Sequence, residues 1–164
     1  MAVENGETLK PSRPMRRHLV FALGLLATSL HAQQDQTAVL ATIYQFVDGF
    51  NKGNLTTALA ACAEQAVLID DFPPHQWSGA GACAKWASDF DAYMKKIGMT
   101  NPVVTLGAAR PRISGNLAYV VIPTSFAWKD KGKPMKEDGV AYTFVLQKGS
   151  AGWKITAASW ADNR

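Results

Sequence analysis

Apolar residues recur at two different spacings along this chain, and the change of spacing separates helical segments from strands. In residues 38–50 the apolar positions follow a helical period, which predicts a first helix that ends at Gly53. Asn54 is a suitable N-cap for a second, shorter helix that continues through Cys62. A third helix is predicted over residues 78–97, where the apolar residues again fall on one stripe.

Later in the chain the apolar positions alternate, as they do in half-buried strands. A short apolar run at residues 66–70 predicts one early strand. Clusters of turn residues separate four later segments, which predict an antiparallel meander over residues 103–113, 117–128, 136–147 and 153–162. Alternation in the third of these segments places the large residues on one face, namely Val140, Tyr142, Phe144 and Leu146. The prediction is an α+β fold, in which three N-terminal helices pack in the concave face of a curved, mainly antiparallel sheet.

The first 32 residues carry a different pattern, which is typical of a secretory signal. Arg16-Arg17 precede a mainly apolar run at residues 19–30, and polar residues follow Ala32. The run is shorter than the roughly 20 residues that span a bilayer as a helix. We predict cleavage after Ala32, with cleavage after Ser29 as an alternative. The charged segment before Met15 resembles an upstream extension from a misplaced start.

Removal of this signal would leave residues 33–164 as one secreted or periplasmic domain without a stable membrane anchor. An uncleaved N-terminal anchor is the alternative interpretation. Four of the 17 basic residues and two of the 13 acidic residues precede residue 33, so 13 basic residues stand against 11 acidic ones. No basic stripe with interleaved aromatic residues is present, and nucleic acid is therefore not expected as a partner. The lysines of residues 129–136 flank Gly132 and Pro134 and indicate a solvated hairpin tip.

The two cysteines carry a separate prediction. In an exported chain such a pair favours one disulfide, between Cys62 at the end of the second helix and Cys83 at the start of the third. Two free, buried thiols are the alternative. With His75 as the single histidine after the signal and no Cys-x-x-Cys motif, we predict no metal site and no cofactor.

Two stretches of the chain are similar to a known superfamily. In residues 53–79 a helix-ending Gly-Asn pair, a strand that ends at Asp70 and a glycine before the third helix follow one another without gaps. In residues 153–162 the sequence WKI leads to SWAD. These stretches resemble the nuclear transport factor 2-like superfamily and its ketosteroid isomerase and SnoaL-like branches. The resemblance implies a cystatin-like cone with a one-ended pocket, and a homodimer formed through the outer face of the sheet.

The same resemblance places Asp70 where ketosteroid isomerases keep the carboxylate that moves a proton between substrate carbons. A partly desolvated carboxylate suits that role because its pKa rises toward the operating pH. The tyrosines that stabilise the enolate in those enzymes fall here on Phe46, Cys62 and Ala87, and the late-strand acid falls near Tyr142. Steroid isomerisation is therefore not expected. A structural acid that caps a backbone group is the alternative role for Asp70.

Other side chains are candidates for contact with a ligand at the pocket. The ligand-binding candidates are Tyr44, Phe46, Asp71, His75, Trp77, Tyr119 and Tyr142. For His75 a solvated loop position, and for Asp71 a turn position, are the alternatives. The other large aromatic residues are predicted to fill the core, namely Trp86, Phe90, Phe126, Trp128, Phe144 and Trp160.

Two classes of function remain open from the sequence. The first is an exported domain that binds a small apolar or amphipathic molecule and lacks a complete catalytic set. The second is a small SnoaL-like enzyme of the isomerase, cyclase or hydratase type, in which Asp70 acts as general acid and base.

Overall fold

The computed structural model describes residues 19–162 of the chain. The chain divides into two compact units, Met1–Gln33 and Gln34–Arg164, and the fold and site described below belong to the second. The segment before Met15 and Arg16-Arg17 of the predicted signal lie outside the described residues. Within the described part, no helix combines the length and apolar character needed to cross a membrane.

Three helices and seven strands make up the described residues. The helices are α1 (Leu19–Asn51), α2 (Leu55–Leu59) and α3 (Ala82–Ile97). The strands are β1 (Cys62–Ile69), β2 (Gln76–Ala80), β3 (Met99–Leu106), β4 (Arg112–Ser114), β5 (Leu117–Asp130), β6 (Lys133–Gly149) and β7 (Gly152–Ala161). They form one sheet in the order β2-β1-β7-β6-β5-β3, and β4 also pairs with β5. Among these strands β1 and β7 run parallel and the other pairs are antiparallel, which confirms the predicted α+β class.

The core lies between the helices and the inner face of the sheet. Val39 and Ile43 of α1 are fully buried together with Val120, Phe144 and Ile155 of the central strands. Burial of each such side chain contributes roughly 1.5–3 kcal/mol. The four residues of β6 that were predicted to share one face are all buried, namely Val140, Tyr142, Phe144 and Leu146. That prediction is confirmed.

Close packing and paired hydrogen bonds fix the end of α1. The Asn51 side chain donates to the Val104 carbonyl at 2.8 Å and accepts from the Val104 amide at 2.9 Å, which ties the helix to β3. A Cβ atom at Gly49 would lie 2.6 Å from the Ala58 nitrogen, so glycine is required where α2 crosses α1. The predicted N-cap is confirmed, since Asn54 Oδ1 accepts from the Thr57 amide at 3.1 Å.

Two helix boundaries predicted from the sequence are wrong, and tertiary pairing explains both. The second helix ends at Leu59, and Cys62 instead begins β1, which pairs with β7 and leaves only one helical turn. Ser78 lies in β2 rather than at the start of α3, because the segment pairs with β1 opposite Val67. α3 begins only after Gly81, whose positive φ of 71° ends the strand.

The predicted strand over residues 103–113 is also wrong, because the structure divides it into β3 and β4. β3 begins earlier, at Met99, and ends at Leu106. Gly107 then turns the chain, with its amide donating to the Pro123 carbonyl at 2.7 Å. A Cβ atom at Gly107 would lie 2.8 Å from that same oxygen, so the close approach excludes a larger residue.

The disulfide Cys62–Cys83 is present in the structure, as predicted. Its two Cα atoms are 6.6 Å apart, and it joins the start of β1 to the first turn of α3. A closed loop of this size stabilises a fold by about 3 kcal/mol. The bond therefore holds α3 in place beside the sheet, although Cys62 reaches it from a strand and not from a helix.

Candidate functional site

A cavity of about 390 Å³ lies between the helices and one end of the inner sheet face. Two sets of aromatic side chains line it. The helical wall consists of Phe46, Phe50, Trp86, Phe90 and Tyr93, and the sheet wall consists of Phe126, Trp128, Tyr142 and Trp160. The volume falls within the range of small-molecule sites.

Ring contacts within each wall hold the aromatic side chains in fixed positions. In the helical wall the centroids of Phe50 and Trp86 are 4.8 Å apart, and Trp86 stacks on Phe90 at 5.9 Å. In the sheet wall Phe126 stacks on Trp128 at 5.0 Å, and Trp160 meets Phe126 edge-on at 5.8 Å. Such pairs contribute about 0.5–1.5 kcal/mol beyond their buried area, so they stabilise the positions of these rings.

Asp70 is a partly buried acidic side chain of this lining. It follows the last residue of β1, and its Oδ2 accepts from Trp86 Nε1 at 2.8 Å. Its Oδ1 accepts from the Asp71 amide at 2.8 Å. Both carboxylate oxygens are therefore held by hydrogen bonds from the protein.

Burial raises the pKa of the Asp70 carboxyl from its ordinary value of 3.8 to about 7. The hydrogen bond from Trp86 opposes this rise because it favours the charged form, and the Asp71 amide acts in the same direction. The side chain of Asp71 raises the pKa through a hydrogen bond and through its negative charge. Asp70 can thus either hold or accept a proton near neutral pH, as a general acid and base requires.

A short loop after β1 fixes the position of Asp70. The Asp70 amide donates to the His75 carbonyl at 3.1 Å, and the His75 amide donates to the Phe72 carbonyl at 2.9 Å. Phe72 is buried and stacks on Tyr93 at 5.2 Å, with Trp77 at 4.8 Å on its other flank. The loop is consequently anchored to the helical wall by an aromatic side chain next to the acid.

Tyr142 adds a polar group to the sheet wall. Burial raises the pKa of its hydroxyl well above the ordinary value of 10, and the negative charge of Asp70 adds to the rise. The hydroxyl therefore keeps its proton at physiological pH and can donate a hydrogen bond.

A β-bulge in β6 brings an acidic residue to the cavity. Thr124 pairs with Val140, but Phe126 pairs with Glu137, so one residue of β5 stands opposite Asp138 and Gly139. Gly139 has a φ of 80°, which glycine adopts without strain. The extra residue turns Glu137 to the same face as the buried residues that follow the bulge, and Glu137 lines the cavity.

The hairpin between β5 and β6 also contributes charges to the lining. Asp130 and Lys131 both line the cavity and are exposed. The Lys131 amide donates to the Gly98 carbonyl at 3.1 Å, which ties the hairpin to the end of α3. Lys131 is thus part of the site as well as of the predicted hairpin tip.

The structure brings some of the predicted site residues together and separates others. Four of them line the cavity, namely Asp70, Phe46, Asp71 and Tyr142. Four others lie outside the lining, namely Tyr44, His75, Trp77 and Tyr119.

The four predicted residues outside the lining are excluded from it for different reasons. Tyr44 lies on the exposed side of α1 and Tyr119 on the outer face of β5, each more than 40% exposed. Trp77 is buried, but its Nε1 donates to Asp89 Oδ2 at 2.8 Å and not into the cavity. His75 is an exposed loop residue whose Nδ1 lies 3.2 Å from the Asp70 carbonyl oxygen, so it supports the loop around the acid.

Sequence reasoning missed most of the walls. Of the aromatic residues predicted as core, Phe144 and Trp86 are buried in it, but Trp86 also lines the cavity. Four partly buried residues line it as well, namely Phe90, Phe126, Trp128 and Trp160. A signal was present, since aliphatic residues give way to aromatic ones along β5 and β7 toward the same end. No such signal marked four other residues of the lining, namely Asn51, Asp130, Lys131 and Glu137.

Within residues 19–162, no group of three or more His, Cys, Asp or Glu side chains is arranged to hold a metal ion. The described lining offers Asp70, whose pKa lies near neutrality, the Tyr142 hydroxyl and aromatic surfaces.

Comparison with known families agrees with this architecture. A family model described as a SnoaL-like domain matches residues 39–159. No protein among the curated sequences matches the chain.

Several solved structures share the fold. A nuclear transport factor 2-like protein with a cystatin-like fold from Novosphingobium aromaticivorans has a TM-score of 0.70 and 15% identity, over 90% of this chain and 92% of that one. A nuclear transport factor 2-like superfamily protein from Salmonella enterica serovar Typhimurium has a TM-score of 0.68 and 14% identity, over 81% and 94%. A ketosteroid isomerase-like protein from Erwinia carotovora atroseptica has a TM-score of 0.59 and 16% identity, over 79% and 97%. At these identities the likeness shows the fold.

Proposed function

This chain belongs to the SnoaL-like domain family of the nuclear transport factor 2-like superfamily, and from that premise we propose that it binds a small, flat, mainly apolar molecule in its aromatic cavity. The observation that carries the proposal is the combination of two aromatic walls with the partly buried carboxyl group of Asp70. Flat rings gain most from such walls because offset stacking and edge contacts suit them. Asp70 then orients the ligand through one polar group.

The tryptophans of the walls provide a direct readout. Trp86, Trp128 and Trp160 line the cavity, so a bound aromatic ligand should change their fluorescence. We expect saturable changes with 2-naphthylmethanol as the probe, a neutral molecule of suitable size. Phe126→Ala should weaken binding at least tenfold, whereas Tyr119→Ala, on the outer face of the same strand, should leave it unchanged. Binding that is equally lost in both variants, or absent from the unaltered protein, would contradict the proposal.

One observation favours a second candidate, a proton-transfer enzyme. The pKa of Asp70 lies at about 7, where a carboxyl group can both take and return a proton at carbon. The Tyr142 hydroxyl offers a donor for a developing enolate oxygen. In D₂O the protein would then accelerate exchange of the α-protons of 2-tetralone, as followed by NMR. Asp70→Asn should abolish this acceleration while the ketone still binds. Exchange at the same rate with the variant would remove the candidate.

We also propose that the domain is exported. The order of basic, apolar and small residues before residue 33 supports this, and so does the disulfide, since such bonds persist in oxidising compartments. Intact-mass analysis of secreted or periplasmic material should find a mature N-terminus within residues 30–34. Recovery of the full-length chain from the cytosol would contradict the proposal.

A further inference from the structure

We propose that the natural ligand of the cavity is a cationic amine, a molecule whose ring system packs between the two walls and whose ammonium group meets Asp70. The inference rests on the proposed binding function and specifies the chemical class of the ligand. Three independent features of the lining support it: its charge, its aromatic surfaces and the hydrogen-bonding state of Asp70.

Acidic side chains outnumber basic ones in the described lining. Four carboxyl side chains line the cavity, and Lys131 is the single basic side chain among the described lining residues. The four acids are Asp70, Asp71, Asp130 and Glu137. An anion bound beside Asp70 would meet a like charge in a partly desolvated space, which costs free energy. Asp70 therefore favours a neutral or positively charged ligand.

The aromatic walls favour the positive alternative. Each ring face carries negative electrostatic potential and attracts an ammonium group within about 6 Å of its centroid. Trp86 donates its indole N–H to Asp70, so the carboxylate lies at the edge of that ring and within the aromatic wall. An amine bound at Asp70 would therefore lie among aromatic side chains, with Phe90 stacked on Trp86 and Phe50 tilted against it.

The hydrogen bonds of Asp70 also support a cationic ligand. Both of its oxygens already accept, from the Trp86 indole and from the Asp71 amide, and these two bonds favour the carboxylate form. Burial opposes that form, and so do a hydrogen bond and the negative charge of the Asp71 side chain. No cation is paired with Asp70 among the ion pairs of the described residues. An ammonium group would compensate the buried charge and donate to the carboxylate.

This arrangement predicts the sign of a pH dependence. The charged or titratable groups that share the lining with Asp70 are Asp71, Tyr93, Asp130, Lys131, Glu137 and Tyr142. Burial raises the Asp70 pKa to about 7, and the Tyr142 hydroxyl stays protonated. An aliphatic amine, like that of lysine, remains protonated at pH 8. Amine affinity should therefore rise as pH increases through 7, because Asp70 becomes ionised.

Three probes with one ring system test the inference on the full chain. We would titrate 2-naphthylmethylamine, 2-naphthylmethanol and 2-naphthoate at pH 5.5 and pH 8 and follow tryptophan fluorescence. At pH 8 the amine should bind at least tenfold more tightly than the alcohol, and the naphthoate most weakly. In Asp70→Asn the amine and the alcohol should bind with equal affinity, so the preference for the amine is lost. Asp89→Asn, which changes an acid bonded to Trp77 outside the lining, should preserve the preference.

A second measurement does not depend on any variant. Calorimetry at pH 7 in two buffers of different ionisation enthalpy should show proton release when the amine binds, because binding drives Asp70 to its ionised form. Equal affinities for the amine and the alcohol at both pH values, tightest binding of the naphthoate, or amine binding without proton release would each overturn the inference and leave the binding function standing. Failure of all three probes to bind would overturn the proposed function as well.

Discussion

The inner face of the sheet has two ends that share the same strands but pack in different ways. At the closed end, residues such as Val120, Phe144 and Ile155 are fully buried against α1. At the open end, the same three strands carry Phe126, Glu137 and Trp160, which border the cavity. One continuous surface therefore serves as core over one half of its length and as a binding site over the other.

The difference lies in the shape and stiffness of the side chains. Branched aliphatic residues interdigitate to the density of an organic crystal and leave little space. Large flat rings that stack on one another, such as Phe126 on Trp128, stay beside their own wall and do not fill the gap to the opposite one. Hydrophobic residues are thus necessary for a core, but the shapes of their side chains decide whether the core is filled or contains a cavity.

The largest expected effect is a loss of stability when one aromatic residue at each end of the sheet face is truncated. Phe144→Ala removes a fully buried ring and should lower the free energy of unfolding by about 3–5 kcal/mol. Phe126→Ala should cost clearly less, because its ring already borders a cavity, yet it should weaken binding of 2-naphthylmethanol. Urea unfolding and fluorescence titration of both variants measure the contrast. Equal losses of stability would show that the two ends are packed alike.

Loss of the disulfide should lower both the stability of the fold and the affinity of the open end for a ligand. The Cys62→Ser, Cys83→Ser double variant should lose about 3 kcal/mol of stability, since the bond closes a loop of 21 residues. It should also weaken ligand binding, because the bond anchors the helix that carries Trp86 and Phe90. Chemical reduction of the unaltered protein provides the control. Full stability and affinity after complete reduction would refute this role.

The acid at the open end should give the protein a pH-dependent stability. Between about pH 4 and pH 7 the folded protein keeps a proton on Asp70 that the unfolded chain has released. The unfolded state then binds fewer protons, so the free energy of unfolding falls as pH rises through this window. Allowing for the remaining solvent contact of Asp70, we expect a loss on the order of 1–2 kcal/mol.

The Asp70→Asn variant isolates the contribution of Asp70 to the pH dependence of stability. The amide keeps an oxygen that can accept from Trp86 and carries no charge, so the stability of the variant should change less with pH between 4 and 7. At pH 8 it should be more stable than the unaltered protein. Urea unfolding across this range checks both statements. An identical pH profile for the two proteins would mean that Asp70 does not titrate in the window.

The smallest expected effect is a change in the pKa of Asp70 when the hydrogen bond from Trp86 is removed. Trp86→Phe keeps an aromatic ring but removes a donor that stabilises the carboxylate, so the pKa of Asp70 should rise further. NMR titration of the Asp70 carboxyl carbon measures the shift. Trp77→Phe is the matched control, because it removes an indole donor to Asp89 and should leave the pKa of Asp70 unchanged. A pKa that does not rise in Trp86→Phe would show that this bond has no influence.

Much of the fold could be predicted from the sequence because the relevant signals are local. The helical stripe of α1, the glycine after Ile97 and the alternation in β6 each follow from neighbouring residues. The position of Asp70 at the end of a strand was predicted in the same way. The disulfide was also predicted, although the element assigned to Cys62 was wrong.

The remaining features depend on contacts between distant segments. Ser78 lies in a strand only because β1 provides hydrogen-bonding partners, and Cys62 only because β7 does. Whether Phe126 belongs to the core or to the cavity depends on what stands opposite it, and no local period contains that information. The alternation of β6 likewise changes phase at Gly139, which moves Glu137 to the inner face.

That bulge makes the hairpin tip a separable module of the protein. Residues 140–147 keep their register with the core whatever happens beyond Gly139, since their pairing with β5 is complete on its own. Deleting one of the two bulge residues would give Ser125 a single partner and keep Phe126 opposite Glu137, so residues 133–137 would keep their inner and outer sides. The bulge therefore gives a lineage room to lose one residue without turning Glu137 away from the cavity or disturbing the core.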